Sequence, residues 1–118
     1  MKKITFDNEP LLVVYEGSTV RINFDVEQST ESVPSMDGGE DTERTVYNAC
    51  VVRISQPISR DKVIDAIISA DYPNDKMQAI VNNYLLNTKD AEHKSEFDAM
   101  QVWRAHAKEV ADSVMAAL

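Results

Sequence analysis

The chain has 118 residues, 43% of them hydrophobic, and its 20 acidic and 12 basic side chains give a formal net charge of −8. This length and composition suit a single domain over residues 1–118, with enough apolar side chains for a core without disulfides. The single cysteine excludes an internal disulfide and any multi-cysteine metal site. The negative charge disfavours direct nucleic-acid binding, and no apolar run reaches the roughly 20 residues that span a bilayer.

The first half of the chain follows the two-residue period of β-strands. Apolar and polar side chains alternate over residues 19–28, which predicts a strand with one dry and one wet face. The dry face comprises Val20, Ile22, Phe24 and Val26, and the wet face comprises Arg21, Asn23, Asp25 and Glu27. Residues 11–15 predict a preceding strand, joined through a turn at Gly17, and Ile4 and Phe6 predict a short edge strand.

Residues 44–54 predict the next strand, whose two faces are both apolar, as in a strand that is buried on both faces or lies in the centre of a sheet. The intervening residues 29–43 are rich in serine, threonine, glycine and acid. Six acids and no base lie between positions 27 and 43, namely Glu27, Glu31, Asp37, Glu40, Asp41 and Glu43. Such a composition buries too little apolar surface to offset the entropy of ordering, so we expect a mobile acidic loop over 29–43.

The second half of the chain follows helical spacing. Ser59 is the expected N-cap of a first helix that runs to about Ala70, with Asp61 favourably placed in its first turn. Apolar residues at steps of three and four predict two more helices, at about 75–86 and 91–117. The expected fold is therefore α+β, with an antiparallel sheet of three to four strands (residues 1–56) packed against about three helices (residues 57–118).

Few residues suggest a catalytic or metal-binding role. Cys50 lies between apolar neighbours in a predicted strand, so we expect a buried structural thiol. His106 and Glu109 share a helical face but lack the second pair that a dinuclear site needs, and a solvated face is the favoured interpretation. Asp61 and Asp65 lie one helical turn apart, yet the helix start already accounts for Asp61. We expect no catalytic residue, no cofactor and no metal.

Recognition of a partner protein has better candidates. Tryptophan, tyrosine and arginine are the residues enriched at binding hot spots. One helical run places two amides beside a tyrosine, and another pairs the only tryptophan with an arginine. These candidate partner contacts are Asn82, Asn83, Tyr84, Trp103 and Arg104. The alternative for Trp103 is a core position, because it lies on the apolar stripe of its helix, and the two asparagines could simply face water.

Three runs in the second half of the chain carry a family resemblance: ACVVRISQPISRDK (49–62), YPNDKMQAIVNNYL (72–85) and MQVWR (100–104). Over residues 45–118 the chain resembles short uncharacterised proteins encoded in the tail-region gene clusters of phages and prophages, of the tail accessory or assembly type. The resemblance implies no catalytic residue, and it leaves the acidic residues 29–43 outside.

The resulting functional expectation is a non-enzymatic, phage-derived accessory protein that acts by protein–protein contact, with another protein or with a second copy, in tail assembly. We expect no small-molecule substrate. Two alternatives stay open: an acidic inhibitor that imitates nucleic acid and occupies a basic groove of a host protein, and a small enzyme with an unrecognised site. The Met1-Lys2-Lys3 start lacks the apolar region of a signal peptide, so we expect a cytoplasmic location in a bacterial host, with virion association as a further expectation.

Overall fold

The computed structural model describes residues 1–118 and has an α+β architecture, as the sequence predicts. Four strands come first, and three helices follow. The strands are β1 (Ile4–Phe6), β2 (Val13–Glu16), β3 (Thr19–Val33) and β4 (Thr42–Ser55). The helices are α1 (Arg60–Asp71), α2 (Asn74–Leu86) and α3 (Ala91–Ala116).

The strands form one antiparallel sheet in the order β1-β4-β3-β2. The two long strands occupy the centre, as predicted for β4. Cys50, Val52 and Ile54 of β4 enter the core, whereas Tyr47 and Val51 on its other face are only partly buried. One face of the sheet packs on α1 and α3, and the buried residues of these elements form a single core. That core comprises Val20, Ile22, Phe24, Cys50, Val52, Ile54, Val63, Ile64, Ile67, Ile68, Ala107, Val110, Ala111 and Val114.

The helix boundaries follow local signals. The hydroxyl of Ser59 accepts a hydrogen bond from the backbone N–H of Lys62, which confirms it as the N-cap of α1. Asp90 caps α3 in the same way, accepting from the backbone N–H of His93 at 3.0 Å. In both cases the side-chain oxygen satisfies an amide that the helix itself leaves unpaired.

The predicted dry face of β3 holds only as far as Phe24. Phe24 pairs with Cys50 and Glu27 with Asn48, so β3 carries one extra residue at this point, a β-bulge. The bulge breaks the alternation and leaves Val26 exposed, so its prediction as a core residue is wrong. Asp25 turns towards α3 instead of lying on the wet face, with a backbone φ of +53°.

Asn23 also departs from the predicted wet face, because residues 11–12 cover it. Its side-chain amide donates to the carbonyl of Leu11 at 2.7 Å, and its backbone N–H donates to the carbonyl of Leu12 at 3.0 Å. The side chain is only 1% exposed. Residues 11–12 thus bury Asn23, and the alternation of polar and apolar residues within β3 does not predict this cover.

The predicted mobile loop over 29–43 is also wrong in its bounds. Five residue pairs continue the β3–β4 ladder through it, from Ser29–Val46 to Val33–Thr42, so only residues 34–41 lie outside the strands. The sequence pattern missed these strand segments because neither of their faces is apolar. The molecule is consequently elongated, measuring 62 × 37 × 21 Å, and its radius of gyration is 18.5 Å against about 13–14 Å for a compact chain of this length.

Candidate functional site

The β3–β4 hairpin extends beyond the rest of the sheet as a two-stranded projection. The edge strands stop short of it, because β1 pairs with β4 only at Tyr47–Ala49 and β2 pairs with β3 only at Thr19–Ile22. We call the uncovered part, residues 29–46, the arm. Most of its side chains are exposed, and both of its outer strand edges lack a pairing strand. Unpaired edges of this kind are free to take part in intermolecular contacts.

Side-chain contacts across the two strands supplement the backbone ladder of the arm. The guanidinium of Arg44 donates to the carboxylate of Glu31 opposite, and it lies 3.4 Å from the carboxylate of Asp7. At the base of the arm, Asn48 donates to the hydroxyl of Ser29 at 2.9 Å. Exposed cross-strand pairs each contribute only about 0.2–1 kcal/mol, so the arm depends mainly on its ladder.

Residues 34–41 close the arm in a turn, which we call the tip. The hydroxyl of Ser35 accepts hydrogen bonds from the backbone N–H groups of Asp37 and Gly39, at 3.3 and 3.2 Å. Gly38 supplies the positive φ of +74° that the turn requires. Met36 is fully exposed at this turn, beside the carboxylate of Asp37. The tip therefore presents an apolar side chain next to a negative charge.

A second feature is a groove between the three helices. Helices α1 and α3 pack closely together, whereas α1 and α2 hardly touch, and this leaves a cleft of about 660 Å³. Its apolar floor includes Ile68, Met77 and Val81, and Asn82 and Arg104 are among its polar lining residues. We call this cleft the helical groove. It brings together two of the five predicted partner contacts.

The other three predicted partner contacts lie elsewhere. Asn83 lines a separate shallow cleft between α2 and α3, and Tyr84 is stacked on Phe97 with ring centroids 4.4 Å apart. Trp103 packs against the core, and its indole N–H donates to the carbonyl of Ile67 at 2.9 Å. The core interpretation of Trp103 therefore describes its position better than an exposed contact does.

Arg104 is distinctive within the helical groove. It is half-buried, yet it forms none of the salt bridges of the chain. Asp65 lines the same groove from α1 but has no cationic partner within 4.0 Å. A guanidinium in a partly apolar cleft is well suited to bind a planar carboxylate with two parallel hydrogen bonds.

A third cluster joins α3 to the bulge in β3, and the sequence did not predict it. His106 donates through Nε2 to the Asp25 carboxylate at 2.8 and 2.9 Å, so the interpretation of His106 as part of a solvated face is wrong. Glu109 lies 3.6 Å from Nδ1 and is largely exposed. No three histidine, cysteine or acidic side chains are grouped as a metal site requires. The sequence alternates without interruption through Asp25, so it contains no signal of this cluster.

Cys50 is buried, as predicted, with a side chain 3% exposed in the core. Burial raises the pKa of its thiol above the ordinary value, and the nearby charge of Asp25 acts in the same direction. A raised pKa suppresses the thiolate, which is the nucleophilic form of cysteine. The geometry thus opposes a role for Cys50 as a nucleophile.

None of the three helices combines the length and the apolar character that crossing a membrane requires. Comparison with known proteins found no matching family model, no matching curated protein and no matching solved structure.

Proposed function

We propose that this chain is a non-enzymatic accessory protein that acts by protein–protein interaction through the arm. The setting we propose is the assembly of a phage or prophage tail, on the ground that residues 45–118 resemble proteins of that kind. The observation that carries the interaction role is the arm itself, an ordered hairpin with two exposed faces and two unpaired edges.

A two-stranded hairpin is marginally stable in water unless a further strand, a helix or an apolar face supports it. The arm has none of these supports within the chain beyond its base at Val46, which is 3% exposed. A partner that covers one face or extends one edge would add the missing contacts. Such a partner would account for a long projection that the rest of the chain leaves uncovered.

Site-specific photo-crosslinking in cells that express the complete gene cluster tests this function. The crosslinking residue replaces the exposed arm residues Ser32 or Thr45 in separate variants, and the matched control replaces Lys89, which is exposed between α2 and α3. We expect protein adducts from the arm positions and few from Lys89. An adduct with a virion structural protein supports the tail setting. Equal adduct yields from all three positions would contradict an interaction role for the arm.

The genomic position of the gene tests the setting separately from the interaction. We expect the gene to lie among genes for virion components. A gene surrounded by unrelated metabolic genes would overturn the tail assignment, while arm-specific adducts would still support protein–protein interaction.

One observation favours the acidic-inhibitor alternative as a second candidate. Four acids of the arm form no salt bridge, namely Asp37, Glu40, Asp41 and Glu43. An inhibitor that imitates nucleic acid would bind basic host proteins through these acids, and its binding would collapse between about 50 mM and about 500 mM salt because exposed charges are screened. Replacing all four acids by their amides should then abolish binding at low salt. Retained binding would exclude this candidate.

A further inference from the structure

Two parts of the molecule have complementary chemistry but do not contact each other within one chain. The tip presents the fully exposed Met36 beside the acidic Asp37. The helical groove presents an apolar floor beside the unpaired cation of Arg104. We propose that the tip of one copy docks into the helical groove of a second copy, with Met36 on the apolar floor and Asp37 accepting hydrogen bonds from Arg104. This proposal rests on the proposed role of the arm and names its partner.

The tip is suited to insertion because its backbone is already shaped. The hydroxyl of Ser35 holds the N–H groups of Asp37 and Gly39, and the N–H of Ser35 donates to the carboxylate of Asp41 at 3.3 Å. A preformed turn loses little conformational entropy on binding. Methionine has a flexible, polarisable side chain that adapts to irregular apolar surfaces, which suits Met36 to the apolar floor of the helical groove.

The helical groove is suited to receive that pair of side chains. Met77 and Val81, both partly buried, supply apolar surface from α2, and Arg104 lines the same groove from α3. The groove can therefore bind an apolar side chain and a neighbouring carboxylate at the same time. The carboxylate of Asp65 on the α1 wall would repel Asp37, which places Asp37 on the α3 side of the groove.

Asn74 and Asn82 provide amides along the α2 side of the groove. Side-chain amides of this kind can both donate hydrogen bonds to and accept them from the backbone of the tip. Asn82 and Arg104, both predicted partner contacts, would thus act in one contact.

The tip of a second copy is a better occupant of the helical groove than the tip of the same chain. Met36 is fully exposed in the single chain, so its own groove does not hold it. Every copy carries both a tip and a groove, so the contact is heterologous, and repetition generates a ring when the rotation closes and a filament when it does not. Each contact buries few side chains and should be weak alone, but ring closure would strengthen the assembly by making the last contact intramolecular.

Sedimentation and light scattering of the purified full-length chain over a range of concentrations provide the test. We expect the wild-type chain to form species larger than a dimer as its concentration rises. The groove variant Arg104→Glu should weaken association about tenfold or more, because it places like charges opposite each other. The matched control Lys108→Glu makes the same charge change on an exposed residue of α3 outside the groove and should associate like wild type.

Mixing two defective variants identifies a head-to-tail contact specifically. The tip variant carries Met36→Ser and Asp37→Ser and keeps an intact groove, whereas Arg104→Glu keeps an intact tip. Each variant alone should remain monomeric. An equimolar mixture should form a 1:1 complex and nothing larger, because only one productive tip–groove contact exists between the two. A self-complementary interface would not give this result.

A charge exchange within one chain completes the test. Asp37→Arg combined with Arg104→Glu should restore the association that each substitution alone removes. Circular dichroism verifies that the variants fold, and the tip substitutions lie at exposed positions that the core does not use. A wild-type chain that stays monomeric, or association indifferent to both tip and groove variants, overturns the self-docking. Arm-specific crosslinks to a different protein would still support the proposed function in that event.

Discussion

The imidazole of His106 in α3 binds the carboxylate of Asp25 in the β3 bulge, 81 positions earlier in the chain, through Nε2 at 2.8 and 2.9 Å. Lys3 donates to the backbone carbonyl of the same aspartate at 2.8 Å. Asp25 has a φ of +53°, in a region that residues with a side chain rarely adopt. The bulge precedes the arm in β3. Through one strained residue, Asp25, it contacts both the helical layer and the N-terminal segment.

Replacement of Asp25 should separate the backbone strain from the side-chain contact. Asp25→Ala loses the contact with His106 and keeps the unfavourable φ, so we expect a loss of about 1–3 kcal/mol in the free energy of unfolding. Asp25→Gly also loses the contact, but glycine adopts a positive φ readily, so the loss should be about 1 kcal/mol smaller. Urea denaturation measures both. Equal losses would show that the φ of Asp25 costs nothing.

A double-mutant cycle should measure the coupling of the same pair. We expect Asp25→Ala and His106→Ala to show an interaction energy of about 0.5–1.5 kcal/mol, because both side chains are only partly exposed. The control cycle pairs His106→Ala with Glu109→Ala, whose carboxylate is farther away and largely exposed. That coupling should stay below about 0.5 kcal/mol. A larger coupling to Glu109 than to Asp25 would contradict the geometry.

Removal of the arm should leave the stability of the body nearly unchanged. The arm-less variant replaces residues 30–45 with Asn-Gly, a sequence that favours the two-residue turn of a hairpin between Ser29 and Val46. All 14 core residues lie outside the replaced segment. We therefore expect a free energy of unfolding within about 1 kcal/mol of wild type.

The comparison for the arm-less variant is Ile67→Ala, which truncates a fully buried core side chain of α1. That truncation should cost about 2–5 kcal/mol through lost burial and a residual cavity. Urea denaturation of both variants provides the measurement. An arm-less variant as unstable as Ile67→Ala would mean that the arm supports the body and is not a free projection.

The secondary structure of this chain was largely predictable because its signals are local. Ser59 caps α1 through its own neighbours, and the helices show apolar side chains at steps of three and four. The arm was not predictable in the same way. Its order comes from a backbone ladder and from pairs such as Glu31 with Arg44, which lie 13 positions apart. The amino-acid composition of the arm shows that it has little apolar surface, but it does not show that its two strands pair with each other.

The candidate site was only partly predictable for a related reason. Arg104 and Asn82 were identified as contact residues by type, but only the packing of α2 on α3 places them in one groove. His106 was misassigned because its partner, Asp25, faces it only through a bulge that breaks the strand alternation. A bulge of one residue changes which side chains face each other, and a periodic sequence pattern does not predict where such a bulge occurs.

The N-cap of α3 should make stability depend on pH at the acid end. The backbone N–H of His93 donates to the Asp90 carboxylate and lowers the pKa of Asp90 below its ordinary value of 3.8. The contribution of the ionised cap is therefore complete above the pKa of the unfolded chain and is lost as the pH falls through the lower pKa of the folded state. Asp90→Asn keeps a capping oxygen and should lose this pH dependence. Thermal unfolding between about pH 2 and pH 6 measures both chains, and parallel curves would refute the assignment.

Thiol labelling should report the burial of Cys50. Its pKa is raised by burial and by the charge of Asp25, so both access and thiolate content limit reaction in the folded chain. We expect reaction with an aromatic disulfide reagent at neutral pH to be about 100-fold or more slower in the native chain than in denaturant, because labelling must wait for opening of the core. A Cys50→Ala chain that carries Thr45→Cys on the exposed arm is the control and should react at the same rate under both conditions. Rapid labelling of native Cys50 would contradict a closed core between the sheet and α3.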